Sequence, residues 1–183
     1  MRQMLEAVDL WCRAGALGWS GRADRTGCSR WALQGLDAAF PSGITAVIGP
    51  NGSGKTTLIR HLATSRAPAR GSVHFEGRRV DARWASHADL TWYRAQLGYM
   101  PQQVGLYPNL TQAQFVHYIA ELKGIPVGPR GAAIGAALRT CGLDPECDKP
   151  LGRKSEGTRR RAALAAALVG CPRVLLLRLP LPM

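Results

Sequence analysis

Gly49, Pro50, Asn51, Gly52, Ser53, Gly54, Lys55, Thr56 and Thr57 have the types and spacing of a loop that wraps phosphate. Glycines let successive peptide N–H groups turn toward one point. A helix starting at the end of the loop adds unpaired donors and the positive end of its dipole. Lys55 is placed to reach the outer phosphates, and the Thr56 hydroxyl to ligate Mg²⁺. The flanking sequence agrees with this reading. The apolar run Ile44–Ile48 predicts a strand before the loop, and Thr57–Leu62 predicts a helix after it. Strand, glycine loop and helix together point to a nucleoside triphosphate, where a glycine turn alone would only end a helix.

The rest of the chain supplies elements to hold such a loop. Met4–Leu10 and Trp31–Phe40 read as extended, separated by an irregular polar stretch from Arg13 to Ser29 and closed by the turn Pro41-Ser42-Gly43. Ser72–Gly77 alternates as a strand does, and Leu97–Gln102 is a short strand with a proline stop. The character then becomes helical. Thr111 is a candidate N-cap for a helix through Leu122, with further helices over Arg130–Cys141 and Thr158–Val169. Arg173–Leu177 reads as a buried final strand.

Composition narrows the class. At 183 residues and 46% hydrophobic, the chain is globular in composition and long enough for one domain with a sizeable core. No apolar run approaches the roughly 20 residues of a membrane span, and the first residues lack a secretory apolar core, so a cytosolic location is expected. The net charge is +12, carried by arginine apart from Lys55, Lys123, Lys149 and Lys154. These arginines are scattered, apart from Arg159-Arg160-Arg161, and no aromatics alternate with them, which fits a solvated surface better than a nucleic-acid platform. The five cysteines form no C-x-x-C pair and the four histidines show no metal spacing, so free thiols and no structural zinc are expected.

The order and distances of these pieces resemble the nucleotide-binding subunit of ATP-binding-cassette (ABC) transporters over nearly the whole chain. The residues that carry the resemblance are the loop Gly49–Thr57 (the Walker A motif), Gly71-x-Val73-x-Phe75-x-Gly77, Leu97–Gln102 and Gly105–Thr111. The resemblance implies an α/β, P-loop NTPase core of the ABC type, with an N-terminal antiparallel β subdomain and an inserted helical subdomain at about residues 103–157. It implies ATP and Mg²⁺ as cofactors, with Gln102 positioning the metal and the attacking water and Thr56 ligating Mg²⁺. It also implies a second nucleotide-binding subunit and a transmembrane permease as partners, which places the chain on the inner face of the cell membrane.

The same resemblance exposes departures. The family's signature motif aligns with Lys154-Ser155-Glu156-Gly157-Thr158, where Ser155 and Gly157 match but Glu156 replaces a glycine. A carboxylate there repels the phosphate that this motif closes over. After the last strand the family places a metal-ligating Asp and a water-polarising Glu, where this chain has Arg178 and Leu179. Arginine cannot ligate Mg²⁺ and leucine offers no base; an oriented base alone is worth about 10²–10⁴ in rate. By resemblance the later part of the core is missing beyond Met183, including the strand that lies between the loop strand and Arg173–Leu177. The sequence therefore predicts a single, incomplete ABC-type domain over residues 1–183. The leading expectation is an ATP-binding subunit that couples ATP binding and hydrolysis to a permease, of the efflux type. One alternative is a truncated or decaying member that binds nucleotide at most. Another is a soluble relative acting on nucleic acid or the ribosome.

Overall fold

The computed structural model describes residues 4–13, 31–101 and 107–178, and the chain forms two compact units, Met1–Tyr93 and Arg94–Met183. In the first, β1 (Leu5–Arg13), β2 (Trp31–Phe40), β3 (Arg70–Phe75) and β4 (Arg78–Arg79) make an antiparallel sheet in the order β2-β1-β3-β4. Along β1 the buried positions are Leu5 and Ala7, then Leu10 and Cys12. An odd set gives way to an even set, so the strand must absorb one extra residue to keep its apolar side inward. A register shift between Ala7 and Leu10 does this, with Asp9 at φ 46.

The bulge leaves Asp9 facing outward, where its carboxylate meets Arg70 Nε at 2.9 Å and accepts from Trp11 Nε1 at 2.6 Å. It also brings the Asp9 carbonyl against Gly71, where a Cβ would lie 2.1 Å from that oxygen. Only glycine fits there. Phe75 anchors the inner side, its ring 5.2 Å from that of Tyr93, whose hydroxyl donates to the Leu62 carbonyl at 2.8 Å. Two helices complete this part of the chain: α1 (Lys55–Leu62) and α2 (His87–Ala95).

The second unit holds β5 (Leu97–Met100) and β6 (Val174–Leu177), paired in parallel, and the helices α3 (Gln112–Leu122), α4 (Val127–Thr140) and α5 (Glu156–Leu168). Thr111 caps α3 as its sequence predicts, in a reciprocal capping box with Gln114. The three helices share a core that includes Phe115, Val116, Leu138, Leu151, Ala162 and Val169. The alanines of α5 let it sit close to β5: a Cβ on Gly98 would lie 2.3 Å from the Ala167 carbonyl oxygen.

Several boundaries differ from the sequence reading. Ile44–Ile48 is not a strand: these residues belong to neither sheet, and Ile44, Val47 and Ile48 are exposed. The physical reason is that an apolar run becomes a strand only with a ladder partner, and no described strand pairs with it. Helix α2 is additional to the sequence expectation, although Ser86 and Asp89 form a recognisable N-terminal signal, with Ser86 Oγ accepting from the Asp89 N–H at 3.0 Å. Helix α4 begins three residues before Arg130, directly after Pro126, and α5 begins two residues before Thr158.

The carboxyl end of α5 is closed by a lysine. Lys123 Nζ donates to the carbonyls of Ala167 at 3.2 Å and Val169 at 2.9 Å. Burial pulls its pKa from 10.5 down to about 8. Between those values the unfolded chain holds the proton that the folded chain has lost, so this group's contribution to stability rises with pH across that window. Above the ordinary thiol value of 9.0, buried Cys12, pushed up to about 12, acts in the opposite direction. Below 9.0 Cys147, lowered by its Lys154 hydrogen bond, adds a rise of its own that is common to wild type and variant, so pH 8 to 9 is the interval for comparing the two. Urea unfolding across this interval should give a stability–pH slope more positive in the wild type than in Lys123→Met. Equal slopes would remove Lys123 as the source.

Candidate nucleotide-binding site

The loop is shaped by positions without side chains and closed by one lysine. Gly52 and Gly54 take φ of 84 and 92, the left-handed region that glycine enters without strain. At Gly54 there is also no room: a Cβ would lie 2.6 Å from the Ala32 carbonyl oxygen and 2.8 Å from Leu33 Cδ2. The loop therefore rests directly on the backbone of β2. At Gly52 a Cβ would meet nothing within 4 Å, so the loop tip is open.

Lys55 Nζ donates to the carbonyls of Gly49 and Pro50, each at 2.6 Å, and lies 3.5 Å from Ser53 Oγ. Its ammonium is thus held over the loop that it follows in sequence. Helix α1 starts at Lys55 with no side-chain cap and no acidic residue in its first turn. Its first N–H groups and dipole end are left to an anion. The helix is moored from behind by Leu58, His61 and Leu62, all buried. His61 Nδ1 lies 2.6 Å from the Thr57 carbonyl, and burial lowers its pKa below the usual imidazole value.

These features fit the phosphates of a nucleotide: an open tip, an uncapped helix start and one ammonium held over the loop. They fit a metal ion less fully. Thr56 offers one hydroxyl, Gln102 lies outside the described residues, and among the described residues no group of three or more His, Cys, Asp or Glu could hold a metal. Mg²⁺ commonly takes most of its ligands from phosphate and water, so here it would arrive with the nucleotide.

In the second unit, Arg178 lies just past β6, its N–H donating to the Met100 carbonyl at 3.1 Å. It therefore stands at the carboxyl ends of the two parallel strands, half-buried, and makes no ion pair among the described residues. Open α/β sheets bind ligands at such ends. Leu179 lies outside the described residues.

Ser155 is the N-cap of α5, its Oγ accepting from the Thr158 N–H at 3.2 Å. Glu156 occupies the first turn and pairs with Arg160 at 2.5 Å. Gly157 has open space around it. The structure thus gives Ser155 a capping role that the sequence reading did not assign, with Glu156 supplying its own negative charge to the helix start.

The family's sequence profile, described as "ABC transporter", matches residues 33–178. The chain belongs to the ABC transporter family. Among curated ABC proteins it is similar to the probable multidrug ABC transporter ATP-binding protein YbhF of Escherichia coli, 35% identical over 158 residues, covering 84% of this chain and 26% of that protein. The molybdenum import ATP-binding protein ModC of Aromatoleum aromaticum is 35% identical over 170 residues, covering 90% and 41%. The cytochrome c biogenesis ATP-binding export protein CcmA of Cupriavidus necator is 37% identical over 153 residues, covering 83% and 61%. The chain spans less than two thirds of the length of each.

Among solved structures, the dimeric ABC transporter cassette MJ0796 superposes with a TM-score of 0.74 at 20% identity, covering 94% of this chain and 72% of that one. CbiO1 of Clostridium perfringens, part of the transporter complex cbiONQ, gives 0.71 at 25% identity, covering 96% and 64%. The ABC fold is therefore that of a P-loop ATPase core with an N-terminal β subdomain and an inserted helical subdomain.

The two loop glycines should respond differently to a methyl group. Gly52→Ala meets only backbone strain, a cost of about 1–3 kcal/mol, and should weaken binding of a fluorescent ATP analogue modestly. Gly54→Ala adds a collision with β2 and should abolish binding and lower the unfolding midpoint further. Equal effects of the two would contradict the seating of Gly54 on Ala32.

Proposed function

We propose that this chain is the ATP-binding subunit of an ABC transporter that holds nucleotide through Gly49–Thr57 and engages a membrane permease, contributing little hydrolysis of its own. The observation that carries the binding half is the open loop with Lys55 poised over it. Entering phosphate offers the ammonium charged oxygens in place of neutral carbonyls, a stronger hydrogen bond. Thr56 would hold Mg²⁺ through its hydroxyl, and the metal would offset charge on the outer phosphates.

Support for weak hydrolysis comes from Arg178. Family resemblance puts a metal-ligating carboxylate at this strand end, and a cation with donors only stands there instead. Leu179 replaces the water-polarising carboxylate. By the same resemblance Gln102 would position water and metal. Ser155 and Gly157 retain part of the signature, while Glu156 opposes closure over a partner's phosphate. A second nucleotide-binding subunit with an intact signature would suit this chain better than a copy of itself.

A permease partner is supported by relatives named for transport, and by exposed apolar groups on the second unit. Tyr107 and Tyr118 stack edge to face at 5.4 Å, and Leu122, one turn beyond Tyr118, is 67% exposed. Clustered exposure of this kind marks protein contact. Among the described residues no helix is long and apolar enough to cross a membrane; in this reading the permease is what brings the chain to the membrane. The efflux direction is supported by the name of CcmA, an export protein, and opposed by that of ModC, an import protein.

The test is nucleotide binding set beside phosphate release. The wild type should bind ATP, lose binding on Lys55→Ala, and release phosphate about 10²-fold or more slowly than the Arg178→Asp, Leu179→Glu double variant. Wild-type turnover equal to that of the double variant would sink the assignment of Arg178 and Leu179. Binding that survives Lys55→Ala would sink the loop.

A further inference from the structure

What the described residues offer to a nucleotide is almost wholly donors and cations. Lys55 Nζ is held over the loop by the Gly49 and Pro50 carbonyls. Helix α1 starts with no capping side chain and no acidic residue in its first turn, which leaves its first N–H groups to an anion. For a metal there is one neutral hydroxyl, that of Thr56. The described aspartates of the first unit are engaged elsewhere: Asp9 with Arg70, Asp81 with Arg79, Asp89 with Arg78, and Asp37 with the Asp9 N–H. Among the described residues no group of three or more His, Cys, Asp or Glu could hold a metal.

Arg178 in the second unit has the same character. It is half-buried past the end of β6, its N–H donating to the Met100 carbonyl, and its guanidinium has no acidic partner among the described residues. A partly buried cation without a counter-charge carries a desolvation penalty that an arriving anion offsets. The carboxyl ends of parallel strands are also where open α/β sheets receive ligands. We propose, resting on the reading of residue 178 under the proposed function, that this chain takes nucleoside triphosphate in its metal-free form in preference to the Mg²⁺ complex, with Arg178 supplying positive charge that a metal otherwise brings.

Charge fixes the sign of the effect. A carboxylate at residue 178 repels bare polyphosphate and needs a metal's charge to offset that repulsion, so removing the metal weakens binding. A guanidinium does the reverse. It hydrogen-bonds polyphosphate oxygens as a fork and repels a divalent cation, so removing the metal strengthens binding. The Thr56 hydroxyl is neutral and does not cancel that repulsion. Linkage makes the preference reciprocal: where metal lowers the affinity of the chain for nucleotide, the chain lowers the affinity of the nucleotide for metal by the same factor.

The test uses the full chain, titrated with a fluorescent ATP analogue in excess EDTA and in excess Mg²⁺. The wild type should bind about threefold or more tightly in EDTA. Arg178→Asp should reverse the order by about tenfold, with Arg178→Gln between the two. The metal gives a second reading: adding wild-type chain to Mn²⁺–ATP should raise the free Mn²⁺ signal in electron paramagnetic resonance. Equal wild-type affinities in the two buffers, tighter binding in Mg²⁺, or a Mn²⁺ signal that does not rise overturns the proposal. Both wild-type readings decide it even where a variant fails to fold. Lys55→Ala checks the loop separately and should abolish binding in both buffers; binding that persists in both overturns the loop assignment instead.

Discussion

The close seating of Gly54 on the Ala32 carbonyl is the constraint on which the rest of the site depends. A phosphate cradle works because several peptide N–H groups point at one place, and this requires the loop to be braced from behind. Here the brace is β2, itself held in the sheet by β1 and its bulge at Asp9. That bulge in turn exists only because residue 71 has no side chain. Two uncharged positions, Gly54 in the loop and Gly71 in β3, thus determine whether the loop is braced. Helix α1 completes the arrangement through buried His61 and Leu62, which hold its far end while its first turn stays free of acidic groups.

Much of this was legible in sequence because the signals were local. Loop glycines, the Thr111 cap with Gln114, and the alternation of β3 each state their own geometry within a few residues. What escaped were features that depend on distant partners. Ile44–Ile48 has strand composition, yet strand character comes from a neighbour's hydrogen bonds. The parity change along β1 was visible in the spacing of Leu5, Ala7, Leu10 and Cys12, but its cost falls on Gly71, over sixty residues away. Helix α2 carried its start in Ser86 and Asp89, a signal masked by the tryptophans around it. The role of Ser155 was half legible: its place in a family motif was clear, its use as a helix cap was not.

Charge is distributed differently in the two units. Around the loop of the first, a single lysine is satisfied by neutral carbonyls and can exchange them for phosphate at small cost. At the carboxyl end of β6 in the second, a guanidinium stands half-buried without an acidic partner among the described residues. Helix α5 shows a third arrangement, its start supplied with Ser155 and Glu156 and its end with Lys123. The negative end of a helix dipole attracts such a cation, which explains why Lys123 remains there although burial disfavours its charge.

The exposed run Ile44–Ile48 has a colloidal consequence. Five successive residues of strand composition, unpaired and open to solvent, are a template on which another chain can lay its own backbone. Opposing this is the net charge of +12, which keeps copies apart. Salt shortens that repulsion to roughly 8 Å at physiological ionic strength. Ionic strength therefore sets how far the charge shields this exposed run.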